Sequence, residues 1–438
     1  MKTKRNFYVA ILVILLLLVG CAKEGKDVVG VNEQSVTPEP ADNQESIEIE
    51  ENIDREPEEA EKTEVAEEME VPITPQEDVE NDNPRERGGS SIDLFIANMT
   101  LEEKIAQMFI VLPEALVGVD TVTSAGEATR NALEKRPVGG FIYMEGNLQS
   151  PEEVSDMLRN LQSYSMERVN LPMFTTIDEE GGTVARINGK SGFDVPYIGD
   201  MSEIGQTGDI NRAYEVGVQI GTYLSELGFN VNFAPDADVL SNTENQVVRK
   251  RSFGNNPEMV TNMALAVLEG LQSQGVHGTF KHFPGHGATA GDTHEGYAYT
   301  NKSLEELKSY EMIPFEAGIA QNVPFIMVGH ISVPTVIGDN TPSSLSHTMI
   351  TEVLREQMGY DGIVITDAMN MGAIVKSYSS SEAAIRTIKA GTDIVLMPAD
   401  FESAYQGVLQ AVKEGTISSE RIDESLRRIL KVKIAMMD

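Results

Sequence analysis

The chain has 438 residues, a formal net charge of −35 at pH 7 and a single cysteine. So acidic a balance argues against nucleic acid as a partner, because binding along a phosphate backbone rests on basic surface. One cysteine excludes an intramolecular disulfide, so the fold must be held together by its core.

Lys2, Lys4 and Arg5 precede the apolar run FYVAILVILLLLVG, which stops at Cys21. A short basic region ahead of an apolar core of this length reads as a secretory signal over residues 1–20, too short and wrongly flanked for a lasting membrane span. LVGC, with Gly20 before the cysteine, has the form of a bacterial lipobox. It predicts cleavage before Cys21, lipidation there, and attachment to the extracytoplasmic face of the cell membrane. A signal anchor with an incidental cysteine is the alternative. Between Glu39 and Asp82 stand 19 acidic and 2 basic residues. With few large apolar side chains, such a stretch cannot offset the entropy of ordering. Residues 21–89 are therefore expected to be a disordered tether, leaving 90–438 as the folded domain, long enough for one large core.

Thr100-Leu-Glu-Glu103 has the form of a capping box and predicts a helix starting near Leu101. Short apolar runs then recur: QMFIVL (107–112), GGFIYM (139–144), MFTTID (173–178), NVNFAPDADV (230–239), HGTFKHF (277–283), FIMVGHISV (325–333), GIVITDAM (362–369) and DIVLMP (393–398). Helix-like spacing fills the gaps, as in PEEVSDMLRNLQSYS and NRAYEVGVQIGTYLSELG. Continuous apolar strands separated by helices indicate a parallel sheet. Eight such units point to an α/β fold of the (β/α)8 TIM-barrel type, a single catalytic domain, with a doubly wound open sheet as the alternative. Asp178, Asp236, Asp238, Lys281, His282, His330 and Asp367 fall at or just past the C-terminal ends of these strands. That rim is where barrel active sites are built.

Two patterns fail closer inspection. GGTVARINGKSG carries Gly-Lys-Ser, but a phosphate-binding loop needs a glycine five residues before Gly189, and Val184 stands there. HFPGH sets two histidines four apart, as zinc helices do, yet Pro284 and Gly285 between them break a helix. No metal and no other cofactor is expected.

KHFPGHG followed by Asp-Thr-His, then LSHTMITEVLREQMGYDGIVITDAMNM, resembles glycoside hydrolase family 3, specifically its bacterial β-N-acetylglucosaminidases. The resemblance spans about Ser91 to Asp438. It implies a retaining exo-glycosidase in which a strand-end aspartate is the nucleophile and a loop Asp-His pair supplies the general acid/base. By position these are Asp367, His294 and Asp292. It further implies that Asp178 and Arg186, in DEEGGTVAR, and Arg251, in RKRSFGNNP, contact the sugar together with Lys281 and His282. The family often has Asp-Thr after KHFPGHG, where Ala288-Thr289 stands here. The chain ends soon after the eighth run, so the further C-terminal domain of some relatives is not expected. The implied partners are N-acetylglucosamine-containing glycans, cell-wall fragments above all, and the membrane through the lipid, with the protein a monomer.

The chemistry suits these residue types. A retaining glycosidase needs one group to attack the anomeric carbon and another to protonate the leaving oxygen. A strand-end carboxylate is ionised at neutral pH, and a histidine, with a reference pKa of ~6.5, can both give and take a proton there. Asp292 can orient and charge-stabilise the ring of His294. The glycines at 285, 287 and 291 suggest a flexible loop. Glu179 and Glu180 are rival acids, since carboxylates fill that role in most glycosidases. His330 reads equally as structure or as support for the site, and His277 and His347 as ordinary. Two other functions remain open: a phosphorylase on the same site, since a neutral histidine does not repel phosphate, and a sugar-binding lipoprotein without catalysis.

Overall fold

The computed structural model describes residues 92–437, apart from 293–295 and 297. Cys21, the signal, the acidic tether and His294 lie outside the described residues. No described helix is long and apolar enough to cross a membrane.

Among the described residues, eight of ten strands carry the main parallel sheets, and each falls inside one of the eight apolar runs. They are β1 (Phe109–Val111), β2 (Gly140–Ile142), β3 (Phe174–Ile177), β4 (Val231–Asn232), β5 (Thr279–Phe283), β7 (Phe325–Val328), β9 (Ile363–Thr366) and β10 (Val395–Leu396). All their residues are buried, as expected of strands covered by helices outside and packed side chains within. One sheet pairs in the order β10-β1-β2-β3-β4 and a second in the order β5-β7-β9. Isolated parallel bridges link their edges at Val231↔His277, Asp236↔Lys281 and Ile365↔Ile394. The pairing follows chain order and the last strand lies against the first. A doubly wound sheet would instead reverse its order at a switch point. The fold is a TIM-barrel-like α/β fold. Phe174 of β3 meets Phe325 of β7 edge-on at 5.5 Å, a contact between strands that are not neighbours.

Two runs are less regular than expected. NVNFAPDADV pairs as a strand over Val231–Asn232 alone, because Pro235 has no N–H to give a ladder. Beyond it, Ala237 N–H still donates to the Lys281 carbonyl at 2.7 Å, which carries Asp236 and Asp238 to the rim. FIMVGHISV breaks at Gly329-His330. Its second half, β8 (Ile331–Ser332), leaves the main sheets and pairs with β6 (Ala298–Tyr299).

Helix starts are fixed by side chains. Thr100 and Glu103 form the predicted capping box, and helix Leu101–Gln107 follows. Ser150, Asn256, Ser379, Asp400 and Ser418 each cap the helix that follows by accepting a backbone N–H.

Candidate active site

Asp178, Arg186, Arg251, Lys281, His282 and Asp367 line one cavity of about 320 Å³. That is near the lower end for small-ligand sites, roughly 300–1,000 Å³. Val184, Val247, Met144, Met327 and Met371 supply apolar wall, and His286 lines the cavity as well. Each polar member comes from the C-terminal end of a strand or the loop beyond it. Asp178 follows β3, Lys281 and His282 lie within β5, and Asp367 follows β9.

A buried charge network organises one wall. Lys281 Nζ lies 2.9 Å from Asp178 Oδ1 and 2.6 Å from Glu180 Oε1. Arg251 donates two parallel bonds of 2.8 Å to the Glu180 carboxylate, the geometry that makes an arginine–carboxylate pair strong and directional. Burial pushes the Glu180 pKa up, but Arg251 and Lys281 outweigh it and hold the carboxyl well below its usual range. Burial likewise opposes the Lys281 ammonium, and the Asp178 and Glu180 carboxylates reverse the effect, raising its pKa. Arg186 lies 3.7 Å from Asp178.

His282 is held on both sides. Nδ1 lies 2.7 Å from Asp238 Oδ2, and Arg251 Nη2 lies 3.3 Å from Nε2. A carboxylate at one nitrogen and a cationic donor at the other select the tautomer protonated on Nδ1. Burial, then the Arg251 charge, push its pKa down to about 4, so the ring is neutral. Burial raises Asp238 to about 6 against the hydrogen bonds it accepts. Asp236 is raised well above the carboxylate range by burial and by Asp238. Ligand-capable atoms of Asp236, Asp238 and His282 fall within 4.8 Å of one another, a spacing a metal could use. Yet Arg251 Nε stands 3.5 Å from Asp236 and both His282 nitrogens are engaged. The guanidinium already supplies the positive charge there.

Asp367 Oδ1 accepts the Ala368 N–H at 2.8 Å. Its depth raises the pKa, but His330 and His282, this backbone bond and Lys281 together bring it below the ordinary value, so the carboxylate is ionised. His330 does not line the cavity. It bonds Ser344 Oγ at 2.7 Å and the Ala368 carbonyl at 2.9 Å, so it grips the peptide that follows Asp367. Asp292 is half-buried and lies outside the cavity lining.

The rival acids are both committed. Glu179 accepts the backbone N–H groups of Arg186, Ile187 and Asn188 and the Tyr223 hydroxyl, at 2.6 to 3.0 Å. It fixes the loop that carries Arg186. Glu180 is the hub of the charge network. Neither is placed as a proton donor to a substrate.

A family model, the glycosyl hydrolase family 3 N-terminal domain, matches residues 100–432. The chain belongs to glycoside hydrolase family 3. Among family 3 relatives, a protein named β-hexosaminidase A from Pseudoalteromonas piscicida is 35% identical over 69% of this chain and 54% of its own length. β-Hexosaminidase LpqI of Mycobacterium tuberculosis is 34% identical over 60% of this chain and 68% of its own. A solved family 3 β-N-acetylglucosaminidase from Paenibacillus sp. str. FPU-7 superposes with a TM-score of 0.71 at 36% identity, covering 78% of this chain and 64% of that one. The chain thus spans only about half to two thirds of the length of several proteins it matches.

Proposed function

We propose that this chain is a retaining exo-β-N-acetylglucosaminidase that removes terminal N-acetylglucosamine from peptidoglycan-derived or related aminosugar glycans. The observation that carries the reading is the gathering of Asp178, Arg186, Arg251, Lys281, His282 and the ionised Asp367 around one cavity. The names of the family 3 relatives support the substrate class. Asp367 attacks the anomeric carbon and forms a glycosyl-enzyme. His294, paired with Asp292, protonates the leaving oxygen and then deprotonates the attacking water. Asp178, Arg186, Arg251, Lys281 and His282 hydrogen-bond the sugar hydroxyls and acetamido group. A site built on such bonds rejects analogues that leave them unpaired.

The eight strands are read as one closed (β/α)8 barrel forming a single catalytic domain, supported by the bridges that join the two sheets. The protein is read as a monomer anchored by lipid at Cys21 to the extracytoplasmic face of the membrane. Cys21→Ala should abolish incorporation of labelled fatty acid.

The decisive experiment uses His294→Ala with an activated aryl N-acetylglucosaminide. The first step should proceed, since a good leaving group needs little protonation, and the second should stall. Intact-protein mass spectrometry should then detect the glycosyl-enzyme, and azide should restore turnover to give the β-glycosyl azide. An α-azide product would indicate inversion. Full activity of the variant on poor leaving groups would remove His294 from the acid role. Release of sugar 1-phosphate in phosphate buffer would replace hydrolysis by phosphorolysis.

A further inference from the structure

His286 has no part in the reading above. The residue is 1% exposed and lines the cavity that holds Asp367, Lys281 and His282. Its ring stands edge-on to that of His282, with centroids 5.7 Å apart.

One ring nitrogen is accounted for. Nδ1 lies 3.0 Å from Thr289 Oγ1 and 3.5 Å from Asn245 Nδ2. The Asn245 amide has a fixed orientation, because its Oδ1 accepts the N–H groups of Val247 and Val248 at 2.9 and 3.2 Å. Its Nδ2 hydrogens therefore face Nδ1, the His286 carbonyl at 2.8 Å and the Thr289 hydroxyl at 3.2 Å. The Thr289 hydroxyl donates to the His286 carbonyl at 2.9 Å, an oxygen whose second lone pair accepts from Asn245. Nδ1 is thus partnered in either tautomer, donating to the Thr289 oxygen or accepting from it when the hydroxyl turns. Burial, then His282, push the pKa down to about 3, so the ring stays neutral.

Nε2 has no hydrogen-bond partner among the described residues. About nine in ten or more buried polar groups are paired, and leaving one unpaired is costly. Of the residues lining the cavity, Arg186 also has such an atom, Nε, and it is already assigned to the sugar.

We propose that His286 is a further substrate-binding residue, whose Nε2 hydrogen-bonds a polar group of the aminosugar in the cavity. The substrate supplies the partner that the protein withholds. This rests on the sugar-binding reading of the cavity and deepens it.

Two complementary substitutions test it. His286→Asn keeps a polar group near the Nδ1 position and removes the one on the cavity side. His286→Gln keeps an amide, able to donate or accept, near the Nε2 position. Steady-state kinetics on an aryl N-acetylglucosaminide, and the rise in Tm with added N-acetylglucosamine or glucose, are measured on the full chain. The expected result for His286→Asn is a loss of about 10- to 100-fold in kcat/KM and a matching weakening of sugar binding. His286→Gln should stay within a few-fold of wild type on both measures. A deficit shared by N-acetylglucosamine and glucose places the partner atom on a ring hydroxyl, and one confined to N-acetylglucosamine places it on the acetamido group. Unchanged sugar binding by His286→Asn would overturn the proposal. So would equal impairment, or misfolding, of both variants, because a shared loss comes from the missing ring. If wild type neither binds nor cleaves N-acetylglucosaminides, the functional reading itself fails and takes this inference with it.

Discussion

Asp367 meets two conditions a nucleophile needs. It is ionised, because neighbouring imidazoles, a backbone N–H and Lys281 offset its burial, and the backbone one residue on is held by His330 at the Ala368 carbonyl. Asp367→Asn should therefore lower kcat by at least about a thousandfold, with no glycosyl-enzyme and no azide rescue. Glu180→Gln tests the charge network. It leaves Lys281 and Arg251 short of their shared carboxylate, and breaking one partner out of a buried charge network costs about 3–5 kcal/mol. A fall in denaturation midpoint together with a raised KM is expected, where a general acid would lose chiefly kcat. Most of this site was legible in the sequence, because its residues sit at strand ends inside long motifs. The structural part of Glu180 and the place of His286 were not. Glu180 competed with Glu179 for one role, and what separates them is their partners, backbone N–H groups for Glu179 and Arg251 with Lys281 for Glu180, which only the fold brings together. His286 was judged by its spacing to His282, whereas what matters is the unpaired Nε2, and no sequence records that.

Among the elements, the segment after β5 departs most from its sequence reading. Gly285, Gly287 and Gly291 suggest flexibility, yet residues 281–289 are pinned. His286–Ala288 forms one short helical turn, and Asn242 and Asn245 tie down the Thr289 and His286 carbonyls at 2.8 Å. Gly287 is there for room, since a Cβ would come within 2.0 Å of the Val239 carbonyl oxygen. Ala288, the visible departure from the family pattern, is half-buried and leaves this turn intact. Gly287→Ala should destabilise the protein by about 1–3 kcal/mol in urea unfolding and reduce activity by shifting His286 and His282. Gly126→Ala, where a Cβ meets nothing within 4 Å, should lie within about 0.5 kcal/mol of wild type. Equal effects would mean that the turn yields without strain. The apolar runs located the eight main strands because both faces are buried. They could not mark the break in FIMVGHISV, which comes from pairing with β6 and leaves no local signal.

For the whole molecule, a protein beginning near Gly89 should fold and retain activity, since the described core lies wholly beyond that point. Aggregation of that shortened chain would contradict the boundary. The N-terminal ends of the strands, away from the site, hold a further buried charge. Lys433, on helix Ser419–Ala435, is fully buried, and its Nζ donates to Gln107 Oε1 and to the Gly139 carbonyl, both at 2.8 Å. It lies 4.8 Å from the centre of the Phe174 ring. Among the described residues no carboxylate pairs with it, and burial pushes its pKa down to about 7. The unfolded chain keeps the ordinary lysine value of about 10.4. Between these limits the unfolded state binds more protons than the folded one, so stability rises with pH across the window. Below about pH 7 the folded state carries the buried ammonium and the penalty is full. Lys433→Met removes the titration, so other groups cancel in the difference between the two proteins. Wild type should gain on the variant from pH 7 to pH 10, by up to about 1.4 kcal/mol per pH unit. Urea unfolding of both proteins at half-unit steps measures this directly. A difference that stays flat would mean that the two carbonyl oxygens and the Phe174 ring hold the lysine charged throughout, as a carboxylate would.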